Sequence, residues 1–489
     1  MGVTALLSHR TAASVVAYRA GRPVSAAQFL ADARALLQRL PAGRHVLNAC
    51  ADRYRFVVGL AACLMSERVS LLPSTQTPEV MRQLAQFAPG AFCLTDEPDC
   101  AIELPQFRYP EVGHLQNGAL PGLALPGPAL PGPALPGPAA DLPAADEYRS
   151  PMIDDEQLAA IVFTSGSTGT PLPYRKTWGR LAHSVRHAGE RLGVLDGRAH
   201  TVVGTVPPQH MYGFESTALL PLRSASAFTA ERPFYPADVC AAIGAAPRPR
   251  VLVTTPVHLR TLLAAGLHLP EADLIVSATA PLARELALQA EHAFRSRLLE
   301  IYGSTETGQI AMRRPTQGET FRLWPGVRLR TDNGQVYAHG GHVEQMTALC
   351  DVLELKSADE FILHGRTADL VNVAGKRSSF GYLNAQLNAI PGVEDGVFFL
   401  REGEAAGFTG IARLAAAVVA PGLSVASIMG QLRGRIDPVF LPRPLVVVDR
   451  LPRNATGKLP QQALQALADR KRRTRGKIKS ASQASPQRP

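Results

Sequence analysis

A chain of 489 residues is too long for one ordinary compact domain and has interior enough for two or three. Its 46% hydrophobic and 19% charged residues are those of a soluble globular protein, and no apolar run approaches the roughly 18 residues of a membrane helix, so stable membrane insertion is not expected. The net charge of +10 raises nucleic acid as a partner, but seven basic residues fall within 470–479, a terminal run without interleaved aromatics, so none is expected.

In chain order, residues 26–40 place Phe29, Leu30, Ala33, Leu36, Leu37 and Leu40 three and four apart, which predicts an amphipathic helix. Residues 45–49 and 68–73 read as short buried strands with a helix over 56–66 between them, a βαβ order that implies a parallel sheet. Residues 119–143 repeat a Pro-Gly-Ala-Leu unit with a period of about five, and regular proline predicts an extended, disordered insertion. Buried parallel strands are expected again at 250–256, 273–278 and 298–302. After Arg366 the character changes to a smaller α+β unit, with a helix at 382–390 and strands at 396–400, 411–420 and 444–449. The expected fold class is α/β: a large N-terminal domain of layered α/β sheets over 1–365, a small mobile α+β lid over 366–465, and a basic disordered tail over 466–489. Six scattered cysteines without a CxxC pair are expected to be reduced thiols. The opening residues show no signal-peptide pattern, and a cytoplasmic protein is expected.

Three segments carry chemistry. Residues 161–171 run from an apolar strand into Thr164, Ser165, Gly166, Ser167, Thr168 and Gly169, where glycines allow close approach to a phosphate and hydroxyls can grip its oxygens. No GK[ST] follows, so this is not a Walker A loop. Residues 302–308 follow a strand with Tyr302, Thr305 and Glu306: a ring that can stack on a base, a hydroxyl for a phosphate, and a carboxylate for Mg²⁺. Residues 451–459 place Lys458 after a glycine turn. Taken singly, each also reads as an ordinary turn.

Together, and in this order, the three segments resemble those of the adenylate-forming (AMP-binding) superfamily of acyl- and aryl-CoA synthetases, over nearly the whole chain apart from the proline insertion and the tail. Asp351, the Gly365-Arg366 pair and the Gly375 loop fit the same pattern. Residues 207–213 resemble the acyl-pocket segment, which puts His210 and Tyr212 at the substrate. The resemblance implies ATP-dependent activation of a carboxylic acid, with pyrophosphate released, and transfer of the acyl group to a phosphopantetheine thiol of CoA or an acyl carrier protein. Residues 164–169 would hold the β- and γ-phosphates. Tyr302 would stack on adenine, Thr305 would touch the α-phosphate, and Glu306 would hold Mg²⁺. Asp351 and Arg366 would bind ribose. Lys458 would bridge the carboxylate and the α-phosphate, and rotation of the small domain near Arg366 would then bring Gly375 to the pantetheine. An aryl or medium-chain acyl acid is expected. The chain also resembles the AMP-ligases of aryl-polyene and xanthomonadin-type pigment pathways.

The chain departs from the family at Leu172, where a loop lysine is usual and Arg175 or Lys176 offers a substitute, at Leu349-Cys350 before Asp351, and at Ala368. These departures are the support for the alternative reading, a nucleotide-binding scaffold without ligase activity.

Overall fold

The computed structural model describes residues 2–73, 76, 78–110, 148–165, 171–366, 370–373, 376–400, 414–454, 459–460 and 462–467. The proline-rich segment therefore lies outside the described residues, as do residues 166–170, Ala368, Gly375, Lys458 and nearly all of the tail. The chain divides into two compact units. The larger comprises Met1–Gly318, Arg322–Arg328 and Ala338–Thr347, and the smaller comprises Glu319–Phe321, Leu329–Tyr337 and Ala348–Pro489.

In the larger unit, one sheet contains, in spatial order, the strands Gly308–Arg313, Arg297–Ser304, Leu274–Ser277, Arg250–Thr254, Thr201–Gly204, Ala227–Thr229, Val15–Arg19 and Arg22–Ser25. From Arg297–Ser304 across to Val15–Arg19 every pairing is parallel, while Gly308–Arg313 and Arg22–Ser25 run antiparallel to their neighbours. Parallel strands are covered on both faces, so they are apolar without alternation: Val251, Leu252, Val253, Ile275 and Val276 are all buried. A second sheet orders Pro171–Thr177, Leu158–Ser165, Val69–Leu72, His45–Asn48, Phe92–Thr95 and Gln106–Arg108, parallel except for the Pro171–Thr177 edge.

The expected first helix spans Ala26–Leu37. Ser25 caps it by accepting from the Gln28 N–H, and Phe29, Leu30, Ala33 and Leu36 face the core. The helix expected over 56–66 begins earlier, at Arg53, capped by Asp52, and runs to Met65. It is buried on almost every face, as a helix apolar all round must be.

His9 is buried in this unit, with Nε2 3.1 Å from the Ser226 carbonyl, and burial lowers its pKa from 6.5 to about 4. A histidine depressed in the folded state stabilises fully above its unfolded pKa and loses that contribution as pH falls toward the folded value. Between pH 6.5 and 4 the loss is about 3 kcal/mol. Urea unfolding from pH 7 down to 4.5 is expected to show this decline, with a shallower pH slope in His9→Asn. Equal slopes would contradict it.

The smaller unit contains the antiparallel pair Asp351–Leu355 and Glu360–Arg366 and the hairpin of Leu370–Val373 with Lys376–Ser379. A three-stranded sheet of Asp395–Leu400, Leu414–Val419 and Leu445–Val447 follows. Helices Phe380–Asn388 and Val425–Arg433 supply Leu383, Leu387, Ile428 and Leu432 to a core with Phe398, Ala416 and Val418. The helix and strands expected after Arg366 fall in this unit, which also takes in segments before Arg366. All six cysteines are unpaired, and among the described residues no helix is long and apolar enough to cross a membrane.

Candidate active site

Parallel strands place their carboxyl ends at one edge of the sheet. Strand order reverses about Thr201–Gly204, because the next strand in the chain, Ala227–Thr229, lies on one side and Arg250–Thr254 on the other. Ligands in open α/β sheets bind outside the carboxyl ends at such a reversal. At this edge Thr205 Oγ1 lies 3.0 Å from Thr254 Oγ1 and 2.8 Å from His258 Nδ1. Residues 207–213 follow directly, His210 preceding the helical turn Met211–Gly213. A Cβ on Gly213 would stand 2.0 Å from the Pro207 carbonyl oxygen, so only glycine closes this turn. Tyr212 Oη sits 3.1 and 2.9 Å from the carbonyl oxygens of Thr254 and Val276, and burial pushes its pKa well up. Its hydroxyl is therefore committed to the strand ends, which leaves the ring for other contacts.

Beside the strand Leu274–Ser277, Arg297–Ser304 runs through buried Tyr302 and turns through half-buried Thr305 and Glu306 into Gly308–Arg313. The turn's own bonds are hydroxyl bonds: Thr307 Oγ1 accepts from the Ser304 N–H at 3.2 Å, and Ser304 Oγ accepts from the Thr307 N–H at 3.2 Å. Two charged side chains reach it from elsewhere. Lys176, on the strand Pro171–Thr177, donates from Nζ to the Glu306 carbonyl at 2.6 Å. Glu215, fully buried, accepts from Ser184 Oγ at 3.0 Å and from the Gln309 N–H at 3.1 Å. It is carried on the π-helical turn Phe214–Leu219, a form concentrated at functional sites. Burial raises the Glu215 pKa to about 7 against the pull of Lys176, and burial likewise lowers that of Lys176. Both shifts point the same way: this interior disfavours either charge alone. His342 is held neutral beside them, at about 3, by burial and then by the positive charge of Lys176.

The first motif's strand, Leu158–Ser165, carries the backbone of Thr164 and Ser165 to the start of the Gly166–Gly169 stretch, with Leu172 opposite Thr164 in register. Leu172 and Arg175 are exposed. Of the two expected substitutes for a loop lysine, Lys176 is engaged by the Glu306 backbone. In the smaller unit Asp351 and Arg366 are direct cross-strand partners, so the two residues expected at ribose share one rung of a ladder. Arg453, in the third motif, forms a two-point ion pair with Asp395, at 2.8 Å for each bond, which ties the approach to Lys458 onto the strand Asp395–Leu400.

The match to known families decides what this arrangement belongs to: residues 9–334 fit the AMP-binding enzyme family. The chain belongs to that family. Among its relatives in this AMP-binding family, a 4-coumarate–CoA ligase of Rhodobacter capsulatus is 31% identical over 239 residues, 49% of this chain and 60% of that protein. A second 4-coumarate–CoA ligase, from Halorhodospira halophila, is 29% identical over 60% of this chain and 73% of its own length. The chain thus spans less than two thirds of the Rhodobacter relative. Two solved structures share the fold at 17% identity and a TM-score of 0.74. One is ATP-bound MatB from Rhodopseudomonas palustris, covering 93% of this chain and 95% of its own. The other is o-succinylbenzoate CoA synthetase (MenE) from Bacillus subtilis with its acyl-adenylate, covering 95% and 99%. The donor set of this AMP-binding enzyme suits Mg²⁺. Glu306 is flanked in the turn by the hydroxyl residues Ser304, Thr305 and Thr307, and among the described residues no group of three or more His, Cys, Asp or Glu is placed to hold a metal ion. A magnesium ion at Glu306 would then take its remaining oxygens from phosphates and water, as this ion commonly does.

Proposed function

We propose that this AMP-binding enzyme activates a carboxylic acid with ATP and passes the acyl group to a phosphopantetheine thiol. The observation that carries the reading is the hydrogen bond from Lys176 to Glu306, which joins the strand after the first motif to the second motif, 130 residues on and in the other sheet. A carboxylate oxygen of the acid attacks the α-phosphorus in line, the bond to the β-phosphate oxygen breaks, and pyrophosphate leaves. The thiolate then attacks the acyl carbonyl and AMP departs, the thiol proton passing to solvent. No protein nucleophile is required, so positioning and charge stabilisation supply the catalysis.

In this reading residues 164–169 grip the β- and γ-phosphates, Tyr302 stacks on adenine and Thr305 contacts the α-phosphate. Asp351 and Arg366 hold ribose, and Gly375 lines the path of the pantetheine arm. Glu306 would hold magnesium, whose charge would offset that of the phosphates. His210 and the Tyr212 ring border the acyl group, and the naming of the relatives above as 4-coumarate–CoA ligases favours an aryl acid. Those names also favour CoA as acceptor, whereas the net charge of +10 suits an acidic carrier protein. Turnover with free CoA set against turnover with a phosphopantetheinylated carrier protein decides between them. The CoA reading predicts full turnover without a carrier, and dependence on the carrier would replace it. AMP release without acyl transfer to either thiol would defeat the second half-reaction.

A further inference from the structure

We infer that Lys176 and Glu215 are positioning residues that clamp residues 302–309 from two sides and so fix where Thr305 and Glu306 stand. The consequence for catalysis rests on the function proposed above. The clamp itself rests on geometry.

Lys176 holds the turn through the Glu306 carbonyl. Three residues later Glu215 holds it through the Gln309 N–H, and Gln309 Nε2 donates at 2.7 Å to Ser216 Oγ, the neighbour of Glu215 on the same π-helical turn. Between these points Gly308 sits at φ +73°, and a Cβ there would stand 2.8 Å from Glu215 Oε1, so the carboxylate occupies the space a side chain would need. The helix Trp178–Leu192 braces the carboxylate through Ser184. The turn's internal side-chain bonds are hydroxyl bonds of 2.8 to 3.2 Å, none of them charged. A half-buried ammonium and a buried carboxylate are costly to keep. Here each is spent on the backbone of the one turn that carries the magnesium carboxylate, and each lies within electrostatic reach of the other.

The test uses Lys176→Met, Glu215→Gln and the double variant. The double variant removes both charges together and leaves neither unpaired, so it carries the test should a single variant not fold. Hydrogen–deuterium exchange of the peptide spanning 302–309 is expected to quicken about tenfold relative to the core strands. Acid-dependent ATP–pyrophosphate exchange is expected to need about tenfold more Mg²⁺ for half-saturation. Its kcat/KM for ATP should fall about 10²-fold, as a displacement near 1 Å produces. A merely structural role would lower the active fraction and leave the Mg²⁺ midpoint where it was. The clamp is overturned if a folded double variant exchanges hydrogen in 302–309 at the wild-type rate, or if that peptide loosens while the Mg²⁺ midpoint stays fixed. A wild type without acid-dependent exchange would defeat the proposed function instead, and the hydrogen-exchange arm would then decide the clamp alone.

Discussion

Replacing Lys458 with alanine is expected to lower acid-dependent ATP–pyrophosphate exchange by about 10²–10³, the loss that follows removal of one preorganised charge-stabilising donor. In the proposed reaction negative charge builds on the attacked α-phosphate while the substrate carboxylate, itself an anion, approaches it. A single ammonium between the two lowers both terms. Lys458 lies outside the described residues, but the start of its motif does not: Leu451 is buried, and the Arg453–Asp395 ion pair fixes the chain five residues before it. Transfer of preformed acyl-adenylate to the thiol should be spared in the variant, because in the reading proposed here the lysine serves only the first half-reaction. Equal loss in both half-reactions would place Lys458 elsewhere in the mechanism.

Substituting Arg53 by methionine is expected to cost about 3–4 kcal/mol of stability, since buried acceptors left unpaired cost roughly 1–3 kcal/mol each and relief of the buried charge offsets part of the sum. Arg53 is fully buried at the start of the helix Arg53–Met65. Its Nη1 donates to the carbonyls of Thr229 and Glu231 at 2.8 and 2.9 Å, and its Nη2 to those of Gly204 and Val206 at 2.7 and 3.4 Å. The guanidinium thus ties together the carboxyl ends of two adjacent strands at the reversal of strand order. Burial lowers its pKa to about 10, which still leaves it charged at neutral pH. A Cβ on Gly204 would approach within 2.8 Å of Nη2, so glycine at that strand end is part of the same device. Arg53→Lys keeps the charge but not the fork and should recover only part of the loss. An unchanged urea midpoint in Arg53→Met would show that the carbonyls find other partners.

Arg53 also shows where periodicity stops being informative. The apolar run over 56–66 is legible, and the helix is there, but its first turn is set by Asp52 as cap and by an arginine that no hydrophobic pattern marks as core. The parallel strands at 250–254, 274–277 and 297–304 were legible because strands buried on both faces are apolar without interruption. In the smaller unit, the helix Phe380–Asn388 and the three strands of its sheet fall where the change of character after Arg366 places them.

The motif residues of the candidate site were equally legible, since Tyr302, Thr305 and Glu306 stand in one short run. The residues that hold that run were not. Lys176 reads as one of two substitutes for a loop lysine, and Glu215 as a neighbour of the acyl-pocket segment 207–213, neither as a partner of the Glu306 turn. Their relation appears only when the two sheets bring them to the same turn, across 130 residues for one and 94 for the other. His258 escaped notice for the same reason, because its partner Thr205 lies 53 residues away, just past the end of the strand Thr201–Gly204.

The most direct test of the central claim is acid-dependent ATP–pyrophosphate exchange by the full chain with Mg²⁺, across benzoic, cinnamic, medium-chain and amino acids. Exchange driven by one class of acid, aryl acids above all, and dependent on Mg²⁺ is the predicted result. A protein that binds ATP but exchanges no pyrophosphate with any of these acids would contradict the assignment and favour a nucleotide-binding role without ligation.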